Sequence, residues 1–322
     1  MSVEAETRIF IAGHRGLVGS ALVRRLEGTD HSILLTRTHQ ALDLTDGRAV
    51  DAFFHDERPE FVFLAAAKVG GIHANATYSA DFIFSNLSIQ TNVIDAAYRH
   101  GVKRLIFLGS SCIYPRDCPQ PIREAYLLSG PLEETNRAYA VAKIAGVEMC
   151  RAYNRQHGTR FLAVMPTNLY GPNDNYDLEN SHVLPALIRK MHTAKLEGAA
   201  GGEVWGSGQP RREFLHSDDL ADACVHLMGL PDDQFDALLN YVPAPALINI
   251  GSGQDQSILT LAQMVKEVVG FAGELLLDTT RPDGTPRKLL DVSRLFALGW
   301  QPRIDLRAGI AHAYADFLAR SP

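Results

Sequence analysis

Short apolar runs alternate with longer helical patterns through the first half of the chain, and this rhythm limits the possible folds more than any other feature. The apolar runs are Arg8–Ala12, Ser32–Leu35, Phe61–Ala65, Leu105–Leu108 and Phe161–Val164. The helical patterns are Leu17–Leu26, Arg48–Phe54, Ser79–Arg99 and Arg137–Gln156. Continuous apolar runs are typical of strands that helices cover on both faces of a parallel sheet. The alternation predicts an α/β fold with a doubly wound parallel sheet.

This rhythm weakens after about residue 170. Gly171–Asn180 and Gly198–Gly208 are rich in turn-forming residues and predict loops. Helical patterns return at His182–Lys195, Asp218–Met228, Thr260–Val269 and Asp305–Leu318. We therefore expect a Rossmann domain over residues 1–170 and a smaller C-terminal α+β substrate lobe over residues 171–322. The boundary is approximate, because the chain can cross back between the two.

Composition excludes several classes of protein. The 322 residues include 37 acidic and 31 basic side chains, for a net charge of −6, which argues against a nucleic-acid partner. Cys112, Cys118, Cys150 and Cys224 form no C-x-x-C pair, so we expect no metal site and a cytoplasmic protein. The chain begins without a signal-peptide pattern. Its longest apolar run, Phe61–Ala67, is shorter than the roughly 20 residues that span a bilayer, so we expect no membrane partner.

A glycine-rich turn follows the first apolar run. Gly13, Gly16 and Gly19 have the spacing G-x-x-G-x-x-G between a predicted strand and a predicted helix. Such glycines allow a tight turn and a close approach of the backbone to a pyrophosphate, which the N–H groups at the start of the helix attract. The residues between them are expected to line the same cofactor site: His14, Arg15, Leu17 and Val18.

The second apolar run favours NADP over NAD. An NAD site uses an acidic residue at the end of this strand to accept hydrogen bonds from the ribose. Here Thr36-Arg37-Thr38-His39 follows the strand, and the first acid is Asp43. Arg15, Arg37 and His39 are available for the 2′-phosphate of NADP, although surface arginines are more often simply solvated. We predict NADP(H) as the cofactor.

Three side chains suggest carbonyl chemistry. Tyr139 and Lys143 are four residues apart, so they share one face of a predicted helix. A phenol with a pKa of about 10 is a weak acid, and we expect the nearby ammonium to favour the phenolate. A Tyr-x-x-x-Lys pair alone is more typical of an ordinary amphipathic helix with a surface lysine. Ser110 changes the interpretation, because it follows the fourth apolar run at the edge of the sheet where ligands bind.

Together these motifs resemble the extended short-chain dehydrogenase/reductase superfamily. Pro166–Pro172 resembles its loop after the fifth strand, and Trp205–Gly208 and Arg212–Asp219 resemble its sugar-nucleotide lobe. The resemblance adds further residues to the expected cofactor site: Leu44, Leu108, Lys143, Pro166, Asn168, Leu169 and His182.

The segment around Cys112 narrows the resemblance from the superfamily to one family within it. Dehydratases of this superfamily carry an Asp-Glu pair after the catalytic hydroxyl residue, and Ser110-Ser111-Cys112 has none. The segment is similar to that of the GDP-L-fucose synthase family, which has a Cys at this position and a His farther along, as in Asn180–Pro185 here. Ala65–Ile72 and Pro282–Lys288 also resemble that family.

The resemblance implies 3,5-epimerisation and NADPH-dependent 4-reduction of GDP-4-keto-6-deoxy-D-mannose. Inversion next to a ketone needs a base and an acid on opposite faces of the sugar ring. The family assigns these roles to the residues matching Cys112 and His182, with Tyr139 as the proton donor in the reduction. The residues alone favour structural roles, since a free Cys is more often a small core residue than a base and a His before a helix is often a cap or a surface group.

Four residues match the family's substrate contacts. Lys190 and Arg212 are expected to meet the GDP pyrophosphate, Trp205 the sugar-phosphate region, and Asp283 the guanosine. The family usually has Arg where Lys190 stands, and Lys keeps the charge without the bidentate fork. Relatives form homodimers through their two long helices, so a homodimer is expected here.

Two other functions remain open. One is a different nucleotide-sugar 4-epimerase or 4-ketoreductase of the same superfamily, which Cys112 with His182 disfavours. The other is a non-catalytic NADP-binding regulator, which the presence of Ser110, Tyr139 and Lys143 disfavours.

Overall fold

The computed structural model describes residues 7–27, 32–178, 181–281 and 283–320. Asn180 and Pro282, at the edges of two motifs used above, lie outside these ranges. The strands are β1 (Thr7–Ala12), β2 (Ser32–Leu35), β3 (Phe61–Leu64), β4 (Arg104–Leu108), β5 (Phe161–Pro166), β6 (Asn168–Tyr170), β7 (Gly201–Trp205), β8 (Arg211–His216), β9 (Leu247–Ile250), β10 (Asp255–Ser257), β11 (Glu274–Asp278) and β12 (Arg287–Lys288). The helices are α1 (Leu17–Glu27), α2 (Gly47–Glu57), α3 (Ile72–Thr77), α4 (Ser79–Arg99), α5 (Arg137–His157), α6 (Val183–Leu196), α7 (Ser217–Met228), α8 (Asp232–Leu239), α9 (Ile258–Val269), α10 (Ser293–Ala297) and α11 (Leu306–Arg320).

A six-stranded parallel sheet forms the centre of the fold. Its strand order is β2-β1-β3-β4-β5-β9. Successive strand residues face opposite sides, so Phe10 packs toward α2, α4 and α5, whereas Ile9 and Ile11 pack toward α1, α7 and α8. The predicted doubly wound sheet is confirmed. The order reverses between β1 and β3, and such a reversal opens a ligand crevice at the carboxyl ends of the strands.

Local signals place the ends of several helices. Asp46 begins α2 by accepting hydrogen bonds from the N–H groups of Arg48 and Ala49. Gly158 ends α5 in the left-handed conformation that glycine adopts without strain. Within the described residues, no helix is both long and apolar enough to cross a membrane.

The boundary at residue 170 does not divide the chain cleanly, because the chain does cross back. β9 lies beside β5 as the sixth strand of the central sheet. The helices α7 and α8 also pack on this sheet, in the same hydrophobic cluster as β1 and β3. All three elements come from the segment predicted to form the separate lobe.

A smaller lobe is assembled from the remaining segments. β10, β8 and β12 form a sheet that β6 extends, and β11 pairs with β7. The helices α6, α9 and α11 pack together around a third hydrophobic cluster. The prediction that Gly198–Gly208 is a loop is wrong, because it contains β7. The two glycines at the start of β7, Gly201 and Gly202, suggest a turn, but pairing with β11 extends the backbone.

The return of β9 to the central sheet can be tested by truncating one of its side chains. Leu247 is fully buried, so Leu247→Ala should lower the free energy of unfolding by about 2–5 kcal/mol. The matched control is Leu196→Ala, because Leu196 is 73% exposed and should change stability by less than about 0.5 kcal/mol. Denaturant titration measures both, and equal effects would contradict the placement of β9.

Candidate active site

The turn after β1 is shaped to receive a phosphate group. Gly13 has a φ of +89°, which favours glycine. The N–H of Gly16 donates to the carbonyl oxygen of Gly13 at 3.1 Å. A Cβ at Gly19 would lie 2.1 Å from that same oxygen, so α1 packs directly against the turn. The predicted spacing therefore gives a bare backbone cradle at the start of α1, and it fits a dinucleotide pyrophosphate.

The turn also lies next to the end of β2. His14 shares a hydrogen bond with the backbone of Arg37, and its pKa is lowered by burial and then by the charge of Arg15. Arg15 is exposed. Arg37 instead donates to the carboxylate of Glu57, and its guanidinium lies partly exposed. His39 points to solvent and is 81% exposed. Of the cations predicted to read a 2′-phosphate, Arg37 already has an acidic partner.

Lys143 is anchored in the interior of the fold. Its ammonium donates to the carbonyl oxygen of Leu108, at the end of β4, over 2.8 Å. Lys143 is 3% exposed and its ammonium lies 4.8 Å from the centre of the Phe107 ring. Burial lowers the pKa of Lys143 to about 8. The contact ties α5 to the edge of the sheet and thereby fixes Tyr139 one helical turn earlier.

Ser110 and Tyr139 meet at this edge. The Ser110 hydroxyl oxygen accepts the N–H of Cys112 at 3.4 Å, which starts a short 3-10 turn over Ser111–Ile113. The same side chain hydrogen-bonds Tyr139, which lowers the phenol pKa, but burial has the larger effect and raises it, as does Cys112. The expectation that Lys143 would make the phenol more acidic is not met. Tyr139 is a protonated phenol at neutral pH, because desolvation disfavours its phenolate.

The Cys112 thiol belongs to the same cluster. It is 8% exposed, and burial raises its pKa, whereas the charge of Lys288, the Ser110 hydroxyl and the charge of Lys143 lower it. A thiol close to two ammonium groups differs from a cysteine in an apolar core such as Cys224, where burial alone acts.

His182 stands at the end of the loop before α6. Its side chain makes no cap hydrogen bond to the helix, so a role as a simple cap is not supported. The side chain is accessible to solvent, although surrounding protein atoms partly desolvate the imidazole. Desolvation there and the charge of Lys288 lower its pKa, so the imidazole is neutral at pH 7.

Lys288 is the residue of this cluster that sequence reasoning missed. It lies on β12, in register with Arg212 on β8. Its charge acts on both Cys112 and His182, and its own pKa is lowered by burial. The segment Pro282–Lys288 resembles the family's sequence, but no local pattern shows that its last residue lies beside the thiol.

The predicted substrate residues fall into two groups. Lys190 and Trp205 lie together, with the Lys190 ammonium 4.0 Å from the centre of the indole ring. Both also donate to Glu203, so Lys190 is not a free cation. Arg212 is held by the carbonyl oxygens of Thr285 and Arg211 at 2.6 and 2.8 Å. Among the described residues it has no carboxylate partner.

Asp283 lies near Trp205 across the turn after β7. Its carboxylate accepts the N–H of Ser207 at 2.9 Å and the Ser207 hydroxyl at 2.6 Å. These hydrogen bonds lower its pKa, so it is an ionised acceptor on the surface of the lobe.

The remaining predicted cofactor residues lie at or beyond the ends of β2 and β5. Pro166 ends β5, and Asn168 and Leu169 lie on β6, where the Asn168 amide donates to the carbonyl oxygen of Glu213 at 2.8 Å. Leu44 lies beyond β2, and its carbonyl oxygen accepts from Asn92 at 3.0 Å. In the part of the chain that the structure describes, no three His, Cys, Asp or Glu side chains are grouped to hold a metal ion.

Fold and site together define a dinucleotide-dependent enzyme with a Ser-Tyr-Lys centre. The chain belongs to the NAD dependent epimerase/dehydratase family, whose sequence model matches residues 9–250. It is 58% identical to GDP-L-fucose synthase 1 of Arabidopsis thaliana, over 98% of this chain and 94% of that protein. It is 53% identical to GDP-L-fucose synthase of Escherichia coli (strain K12), over 98% of this chain and 97% of that protein. These relatives confirm the predicted resemblance.

A solved structure has the same fold. A GDP-mannoheptose C4 reductase from Campylobacter jejuni with NADP bound superimposes with a TM-score of 0.89 and 41% identity, covering 99% of both chains.

The burial of Lys143 predicts a pH-dependent stability. Its folded pKa of about 8 lies below the value of about 10.4 for an exposed lysine, so the unfolded chain binds more protons between these pH values. The stability of the wild type relative to Lys143→Met should therefore rise by about 2 kcal/mol between pH 8 and pH 10. Denaturant titrations at pH 8 and pH 10 measure the difference. A constant difference would show that the ammonium is not desolvated.

Proposed function

We propose that this chain converts GDP-4-keto-6-deoxy-D-mannose to GDP-L-fucose by 3,5-epimerisation and NADPH-dependent 4-reduction. The observation that carries the proposal is the position of Cys112, which lies in the same cluster as Ser110, Tyr139 and Lys143. A reductase needs no thiol there, but an epimerase needs a base beside the carbons that flank the ketone. The names of the relatives from A. thaliana and E. coli support the same reaction.

The residues of the crevice fit NADP(H). Gly13, Gly16 and Gly19 leave the backbone open at the start of α1, and Arg15 and Arg37 flank the place of the 2′-phosphate. NADPH, when bound, supplies the hydride for C4. Lys143, fixed at Leu108, lies where the start of α5 meets the crevice and contributes a hydrogen-bond donor. The C. jejuni reductase structure with NADP supports this assignment.

Epimerisation uses one residue on each face of the sugar. The Cys112 thiolate removes the proton from C3 or C5, and the electron pair moves to the C4 oxygen as an enolate. Ser110 and Tyr139 donate hydrogen bonds to that oxygen. His182, which takes up a proton from solvent as the thiol releases its own, returns a proton to the carbon from the opposite face. The Lys288 charge stabilises the thiolate, because it lowers the pKa of the thiol.

Reduction depends on Tyr139 being protonated. Burial raises its pKa, so the phenol holds its proton until negative charge develops on the C4 oxygen, and then transfers it. The Lys143 ammonium, 5.8 Å from the centre of the ring, stabilises the phenolate that remains. The same serine and tyrosine therefore serve both half-reactions.

The proposal also includes the substrate contacts, the oligomeric state and the location of the protein. Arg212 meets the pyrophosphate as the cation without a carboxylate partner among the described residues, and Asp283 accepts from guanosine. The protein is a cytoplasmic homodimer that buries α4 and α5, where Phe84 and Val141 are exposed apolar side chains that would be covered. Sedimentation analysis of a Phe84→Glu variant tests this interface.

The cofactor preference should depend on Arg15 and Arg37. Removing both charges should weaken NADPH binding by about 10-fold or more while leaving NADH almost unchanged, because only NADPH carries the 2′-phosphate. Fluorescence titration with each cofactor measures the effect. Arg48→Ala, an exposed arginine of α2, is the control. Equal weakening of both cofactors would mean that neither arginine reads the phosphate.

The two half-reactions should separate by mutation. Tyr139→Phe should slow NADPH oxidation by about 10²–10⁴, while deuterium exchange at C3 and C5 survives better. Cys112→Ser should lose the exchange, because a hydroxyl is a far weaker acid than a thiol and yields little base at neutral pH. NMR of the sugar and absorbance of NADPH measure the two steps. Normal exchange in both Cys112→Ser and His182→Asn would favour a simple 4-ketoreductase instead.

A further inference from the structure

Glu203 joins two of the expected substrate residues, although no sequence motif pointed to it. One oxygen of its carboxylate accepts both the Lys190 ammonium at 3.0 Å and the Trp205 indole N–H at 2.7 Å. Glu203 and Trp205 are two residues apart on β7, so their side chains leave the same face of the strand. Lys190 comes from α6. A single carboxylate therefore connects the two elements.

The indole ring is also held by cations. The Lys190 ammonium lies 4.0 Å from the ring centre, and the Arg281 guanidinium lies 4.8 Å from it. Trp205 is nevertheless 48% exposed. A large aromatic side chain with a fixed orientation and an open surface is a stacking partner for a ligand. Because the ring has few rotatable bonds, anchoring its N–H fixes its whole orientation.

The carboxylate also changes what Lys190 can do. Its positive charge is neutralised by Glu203 at hydrogen-bond distance. The hydrogen bonds from Lys190 and Trp205 lower the pKa of Glu203, so this carboxylate stays ionised at neutral pH. A neutralised ammonium contributes little net Coulomb attraction to a pyrophosphate. Arg212, without a carboxylate partner among the described residues, keeps its full charge.

We propose that Glu203 is a positioning residue for binding of the nucleoside diphosphate, and that Lys190 acts through Trp205 rather than on the phosphates. The three side chains form one unit that holds the indole ring against the ligand. This inference rests on the proposed function for its ligand class. It departs from the role that the family resemblance gives to Lys190.

The experiment is calorimetric titration of the holoenzyme with GDP, at low and at high salt. Glu203→Ala and Lys190→Ala should each weaken GDP binding by about 3–10-fold, the size of one or two lost hydrogen bonds. The double variant should lose little more than either single one, because both act through the same ring. The loss should be similar at both salt concentrations. Arg212→Ala should instead reduce the salt dependence of binding, because it removes a charge that faces the phosphates.

Controls separate positioning from a general loss of structure. Glu267→Ala removes the acid of another partly exposed ion pair, with Arg307, and should leave GDP affinity unchanged. Glu203→Gln keeps an acceptor for the indole N–H and should lose less affinity than Glu203→Ala. NADPH affinity should stay at the wild-type value in the variants of Glu203, Lys190 and Glu267.

Three results would overturn the proposal. The first is wild-type affinity for GDP in Glu203→Ala. The second is tighter, more salt-dependent binding in Glu203→Gln, which would show that Glu203 competes with the phosphates for Lys190. The third is no GDP binding by the wild type, which would also remove the proposed function, whereas the first two leave it standing.

Discussion

The hydrogen bond from the Lys143 ammonium to the carbonyl oxygen of Leu108 fixes the centre of this site. It joins the start of α5 to the carboxyl end of β4 at a place almost closed to solvent. Ser110 and Cys112 follow β4 directly, and Tyr139 precedes Lys143 by one helical turn. Two rigid elements therefore meet at one buried charge, and the side chains that they carry are set relative to each other by the backbone.

Desolvation then determines the protonation states around that charge. It raises the pKa of Tyr139 and Cys112 and lowers that of Lys143, His182 and Lys288. Each shift favours the neutral form. The cluster thus rests with its phenol and thiol protonated, close to ammonium groups that stabilise either anion once it forms. That balance suits a reaction in which negative charge appears first on a base and later on the substrate oxygen.

Ion pairing distinguishes the cations that were predicted to bind the cofactor and the substrate. Lys190 and Arg37 are both tied to carboxylates, Glu203 and Glu57, whereas Arg212 is held by carbonyl oxygens. Paired cations orient their neighbours, and an unpaired one retains attraction for an anionic ligand. The same residue type therefore has different roles depending on which carboxylate the fold places beside it.

The sequence by itself determined the features that depend on local patterns. Apolar runs and helical periodicity located β1 to β5 and the long helices, because burial on both faces or on one face is visible in the order of residues. The turn of Gly13 could be predicted, since only glycine adopts its φ without strain. The sequence also predicted the site residues Ser110, Cys112, Tyr139 and Lys143. They lie in or next to two predicted elements, and a family motif matches them.

Tertiary structure alone decided which distant segments meet. β9 lies in the central sheet because it pairs with β5, which is far away in the chain. β7 is a strand because it pairs with β11, which is also distant in sequence. Lys288 joined the Cys112 cluster for the same reason. The direction of the Tyr139 pKa was mistaken from the sequence, because the neighbouring lysine is visible there and the desolvation is not. Strand pairing between distant segments and desolvation of side chains both depend on tertiary packing. A local stretch of sequence therefore does not predict them.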